Sequence, residues 1–207
     1  MKSTLHFRRL ALFAAGCMAA WPALGARIEP AFSTDEKGDF DDVLSILDAV
    51  TISAESPLAG RRMDESAGIP VAAIFLAERS RGAIQLIFQG TDGSTKSRPN
   101  IQAPKDGCGF QIDSHGPGFL FSGDAFFSPD GGVLAAELDV RIQGTNTYIS
   151  AVAVWTIEID GTIGGIARDG VILCGMTELK AVEVLVSDEG VHRYLVVGAD
   201  SSYLVER

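Results

Sequence analysis

From Val71 onward the chain alternates apolar and polar positions with the period of a β-strand. Across 133–143, Leu134, Ala136, Leu138, Val140 and Ile142 point one way, and Ala135, Glu137, Asp139, Arg141 and Gln143 point the other. A period of two held this long predicts a strand with one face in a core and one in water. Across 148–160, Ile149, Ala151, Ala153, Trp155, Ile157 and Ile159 share a face, with Val152 and Val154 opposite, as in a central strand. Residues 71–77 are a near-continuous apolar run, suited to a strand covered on both faces; in 83–89, Ile84, Leu86 and Phe88 share one face. Further strands are expected at 171–174, 181–186, 193–197 and 202–205.

Turn residues punctuate these runs. Asp-Gly occurs at Asp92-Gly93, Asp106-Gly107, Asp130-Gly131, Asp160-Gly161 and Asp169-Gly170, with Glu189-Gly190 a near relative. Between apolar runs this dipeptide signals a tight hairpin, because its turns need positive φ angles that Gly accepts freely. One segment departs from the pattern. Phe40, Val43, Leu44, Leu47 and Val50 recur at helical spacing, with Asp39 in the N-cap position and Asp41 and Asp42 in the first turn. The expected fold class is therefore mainly β: an antiparallel β-sandwich or barrel-like domain with one N-terminal α-helix.

Phe127-Ser128-Pro129-Asp130-Gly131 resembles the strand-turn signature of some β-propeller blades, including those of the periplasmic TolB type. Val186 to Gly190, followed by 193–197, is a degraded echo. The two turns lie further apart than one blade period of about 40 to 45 residues, and a propeller is not expected. Ser-Pro-Asp-Gly is also good turn chemistry in its own right.

The first 25 residues read as a secretory signal peptide. Lys2, Arg8 and Arg9 form a basic start, residues 10–21 an apolar run too short to span a bilayer, and Ala23-Leu24-Gly25 a peptidase site before Ala26. Ala14-Ala15-Gly16-Cys17 is a rival lipobox reading, and Arg8-Arg9 a weaker twin-arginine one. Residues 26–207 then form a single exported domain, periplasmic or secreted, with no later apolar stretch long enough to cross a membrane. Removing the leader takes the net charge from −10 to −13, because the leader holds three basic residues and no acidic one. That charge repels nucleic acid and anionic lipid and favours basic partners.

Two cysteines remain in the exported part, Cys108 and Cys174, and a disulfide between them is expected in an oxidising compartment. Residues Gly90 to Gly118 form a long stretch rich in turn formers, the expected contact region, with Lys96, Arg98 and His115 as candidate binding residues. Arg61-Arg62, in the polar connection 53–70, reads as an anion anchor or as an ordinary solvated loop. Phe119, Phe121, Phe126 and Phe127 read as core packing or as an aromatic patch for a partner or sugar.

No catalytic residue is assigned. Asp113-Ser114-His115 invites a hydrolase reading, but Gly-x-Ser-x-Gly and Ser-x-x-Lys are absent. His192 reads as a surface residue at a strand end. Glu137 with Asp139 reads as the wet side of a strand rather than a glycosidase pair. No spaced zinc set, EF-hand or phosphate loop occurs, so neither metal nor cofactor is expected. The functional expectation is a non-catalytic binding or interaction protein of unknown ligand with a protein partner in the cell envelope, a role that would include masking a basic partner. The alternatives are an envelope hydrolase using His115 and a structural component of an envelope assembly.

Overall fold

The computed structural model describes residues 44–79, 84–98, 101–106, 108–109, 111–113, 118–161, 164–186 and 192–206. Twelve strands in these residues form three antiparallel sheets. The first sheet holds β1 (Leu44–Thr51), β2 (Arg62–Asp64), β3 (Ile69–Arg79), β4 (Ile84–Gly90) and β5 (Thr95–Arg98), in the order β1-β3-β4-β5 with β2 also on β3. The second is a meander of β6 (Phe119–Phe127), β7 (Val133–Arg141), β8 (Tyr148–Asp160) and β9 (Gly164–Leu173). The third is a meander of β10 (Leu179–Val186), β11 (His192–Gly198) and β12 (Ser202–Glu206).

The second sheet is the middle layer. Leu134, Ala136 and Leu138 of β7 and Ala153, Trp155 and Ile157 of β8 pack with Ile74, Leu76, Leu86 and Phe88 of the first sheet. Their alternate neighbours Val133, Ala135, Val152 and Val154 pack with Val182, Tyr194 and Val196 of the third. The expected central strand is β8, with both of its faces buried as its sequence predicted. The expected wet face of β7 is wet only in part, because the third sheet covers Val133 and Ala135 and leaves Glu137, Asp139 and Arg141 half-buried. Phe119 and Phe121 belong to the core, their rings 6.4 and 6.2 Å from that of Trp155.

Residues 44–51 are not helical. They form β1, paired with β3 from Leu44↔Arg79 to Thr51↔Ala73, with a register shift between Ile46 and Asp48. Residues 39–43 of the expected helix lie outside the described residues. An eight-residue stretch with Ile46, Val50 and Thr51 is ambiguous by periodicity, and β3 supplies a ladder that decides it. At the register shift the Asp48 carboxylate accepts the Phe127 amide at 2.5 Å and ties β1 to the end of β6.

Three of the Asp-Gly turns join consecutive strands: Asp92-Gly93 between β4 and β5, Asp130-Gly131 between β6 and β7, and Asp160-Gly161 between β8 and β9. Asp169-Gly170 is no hairpin. It sits inside β9, where Asp169 has a φ of 51° and the ladder with β8 shifts register. A Cβ on Gly170 would lie 2.2 Å from Trp155 Nε1, so this position requires glycine for close packing. Gly107 and the turn at Glu189-Gly190 lie outside the described residues.

The stretch Gly90 to Gly118 is less free than its composition suggests. Residues 95–98 form β5, and the 101–105 segment runs parallel along β9 through bridges Ile101↔Ala167 and Lys105↔Val171. The Trp155 indole donates to the Gln102 carbonyl at 2.9 Å. The disulfide Cys108–Cys174 then fastens the segment beyond the end of β9, and Ile112 bridges Ile142. Signal-peptide and lipobox residues lie outside the described residues, among which no helix is long and apolar enough to cross a membrane.

Two outcomes follow from this packing. Replacing both Cys108 and Cys174 by Ser lowers stability by about 4 kcal/mol through the lost loop closure, read from the denaturant midpoint under oxidising conditions. Burial holds the Asp48 carboxyl above its ordinary value, against the lowering by the Phe127 amide. A raised folded-state value means that the group favours the fold below its unfolded value, and that this contribution is lost as pH rises through the folded value. Asp48→Asn, whose side-chain carbonyl still accepts the amide, therefore gains stability relative to the parent on going from about pH 3 to about pH 7. Asp48→Ala strands the amide and costs about 1 to 3 kcal/mol. Melting curves across that pH range check both variants.

Candidate functional site

A cleft of about 680 Å³ opens where the 53–68 connection crosses the end of β8. Its first wall begins with a turn in which Ala59 donates to Ser56 and Arg61 to Leu58, through backbone amides and carbonyls. That turn is pinned from below. Leu58 is buried in the core, and the Ser56 hydroxyl donates to the Asp130 carbonyl at 2.5 Å. The chain then enters β2, where the Val71 amide donates to the Arg61 carbonyl. Arg61 and Arg62 are thus held on anchored backbone with their side chains exposed. Neither guanidinium has an ion-pair partner among the described residues.

The opposite wall is Glu158, Ile159, Asp160 and Gly161. The two walls meet where the Glu65 amide donates to the Gly161 carbonyl at 3.4 Å. A Cβ on Gly161 would fall 2.1 Å from Glu65 Cγ, so glycine permits this approach. Glu158 is 3.4 Å from Arg168 Nε. The cleft is therefore lined by two arginines, Arg61 and Arg62, and by three acidic residues, Glu65, Glu158 and Asp160. Such a lining suits a ligand surface carrying both signs of charge, since either sign alone meets repulsion from one wall.

The residues expected to bind are placed elsewhere. Lys96 on β5 is 2.7 Å from Asp64 of β2 and is half-buried. The Lys96 hydrogen bond, with the Ala67 and Ser66 amides, holds the Asp64 carboxyl below the usual carboxylate range. Lys96 thus ties β5 to β2. Arg98 ends β5 opposite Leu86, and its side chain lies outside the described residues, as does all of His115. Lys96, Arg98 and His115 are not brought together into one site by anything described. Of the hydrolase trio, Asp113 forms an ion pair with Arg141 at 2.7 Å, while Ser114 and His115 lie outside the described residues.

Other polar groups singled out by the sequence hold sheets together. The Glu137 carboxylate accepts the Leu179 amide at 2.6 Å and the Asp124 amide at 3.1 Å, linking β7 to the start of β10. His192 is not a bare surface residue. Its Nδ1 lies 3.4 Å from Asp130 Oδ2, beside the Tyr194 hydroxyl, which donates to the same oxygen at 3.1 Å. Ser128 is buried, donating to Asp130 Oδ1 and accepting the Val133 amide, so its oxygen is committed to the turn. Among the described residues no cluster of three or more His, Cys, Asp or Glu side chains is placed to hold a metal ion.

Comparison with protein-family models, curated proteins and solved structures returned no match. The cleft must be read from its own chemistry. The basic pair at Arg61-Arg62 was the sequence signal for one wall. Nothing in the sequence joined it to Glu158 and Asp160, because their shared lining of one cleft depends on how the first sheet lies across the second.

Glu137 provides the check on this assignment of roles. Glu137→Ala leaves two amides without an acceptor and costs about 1.5 to 3 kcal/mol. Glu137→Gln does not restore the loss, since its amide nitrogen faces a second donor. Denaturant unfolding of both variants measures the difference, and full rescue by Gln would refute the paired-acceptor role.

Proposed function

We propose that this is an exported, non-catalytic binding module that engages a protein partner in the cell envelope through the Arg61–Glu158 cleft. The observation that carries the reading is the cleft's lining: exposed Arg61 and Arg62 on anchored backbone, without an ion-pair partner among the described residues, share it with Glu158 and Asp160. Export rests on the basic, apolar and small-residue order of the first 25 residues. A basic partner is favoured by the net charge, which is −10 for the whole chain. Long-range attraction of that kind speeds encounter, while the arginine pair selects partners that also offer a carboxylate at the docking point.

The reading is tested by displaying the tagged protein in its own envelope, crosslinking, and quantifying what co-purifies. One stoichiometric partner is expected, with recovery falling as ionic strength rises. The double change Arg61→Glu and Arg62→Glu is expected to reduce recovery about tenfold, equivalent to about 1.4 kcal/mol, with an unchanged melting temperature. Undiminished recovery would move the contact away from the cleft. Absence of any partner, under conditions that recover a known envelope complex, would overturn the binding reading.

A further inference from the structure

Edge strands offer unpaired backbone groups, and proteins usually blunt them with bulges, charges, short length or a covering segment. Nearly every edge among the described residues is blunted in this way. β1, β6 and β10 carry register shifts, at Ile46/Asp48, Phe121/Ala125 and Leu179/Ala181. β2 is three residues long, and β5 is four residues long with Lys96 and Arg98. β9 has the 101–105 segment alongside it. β12 is the exception. It pairs with β11 without a register shift from Ser202 to Glu206, contains neither Lys nor Pro, has its one charge, Glu206, paired with Arg193 of β11 at 2.9 Å, and exposes Leu204 at its centre to 54%.

We propose that β12 pairs with β12 of a second copy, antiparallel about a two-fold axis at Leu204, joining two three-stranded sheets into one of six strands. The strand's own sequence selects this occupant. With Leu204 on the axis, all five residues find partners: Leu204 meets Leu204, Tyr203 meets Val205, and Ser202 meets Glu206. Aromatic with β-branched is a favourable cross-strand pair, a serine hydroxyl donates to a carboxylate, and no like charges stand opposite one another. Any other centre shortens the overlap. The outward row Leu195–Leu204 then continues from one copy into the other. The contact is isologous and closes at two copies, and the joined sheet ends on both sides in β10, whose pairing carries a register shift. It is independent of the Arg61–Glu158 cleft.

Sedimentation equilibrium of the purified protein over a range of concentrations tests the pairing. The expected mass rises from one chain to two. Ser202→Glu places a carboxylate opposite Glu206 of the other copy and weakens association about tenfold or more. Ser202→Lys places an ammonium there and leaves association equal or tighter. Position 202 is exposed, so neither change disturbs the core. Leu204→Cys is expected to give a covalent dimer on oxidation. A single-chain mass at every concentration would overturn the proposal, as would a dimer that Ser202→Glu and Ser202→Lys weaken alike.

Discussion

Burial of the middle sheet on both faces is the constraint from which the rest of the structure follows. Leu134, Leu138 and Trp155 leave one face of β7 and β8 unfit for water, and Val133, Val152 and Val154 leave the other. Each fully buried side chain of this size contributes about 1.5 to 3 kcal/mol relative to an exposed one. Two covering sheets are therefore required, and the chain supplies one before the middle sheet and one after it. Polar backbone at the seams must also find partners, since an unmade hydrogen bond in such an interior costs more than a made one contributes.

The seams are closed by a few acidic side chains. Asp130 reaches all three layers: its carbonyl accepts Ser56, its carboxylate holds the Ser128–Gly132 turn, and Tyr194 and His192 approach it from the third sheet. Asp48 joins β1 to β6, and Glu137 joins β7 to β10. An acidic composition that reads at first as surface charge is thus partly internal architecture. The Arg61–Arg62 pair stands apart because its backbone is anchored while its charge has no ion-pair partner among the described residues.

The strands around β7 and β8 were legible because period-two alternation is a local property with a direct physical cause. The hairpins at Asp92-Gly93, Asp130-Gly131 and Asp160-Gly161 were legible for the same reason. β1 was misread, because its apolar spacing fits one face of a helix as well as a strand with a register shift. Asp169-Gly170 was misread because the same dipeptide that closes a hairpin also serves a kink where a neighbouring indole needs room. Lys96 was legible as a charged residue of the expected contact region, but its ion pair with Asp64 was not, because β5 and β2 meet only in the fold.

The sequence by itself determined the β class, the alternation of faces, most turns and the pair of cysteines that join as Cys108–Cys174. Each of these depends on neighbours along the chain or, for the cysteines, on setting Cys17 aside with the expected leader. Tertiary structure alone decided that the sheets are three stacked layers, that residues 44–51 extend rather than coil, and that Arg61 and Glu158 line one cleft. Those outcomes depend on contacts between segments distant in the chain, and no local pattern records which distant segment will supply the missing half of a core or a cleft.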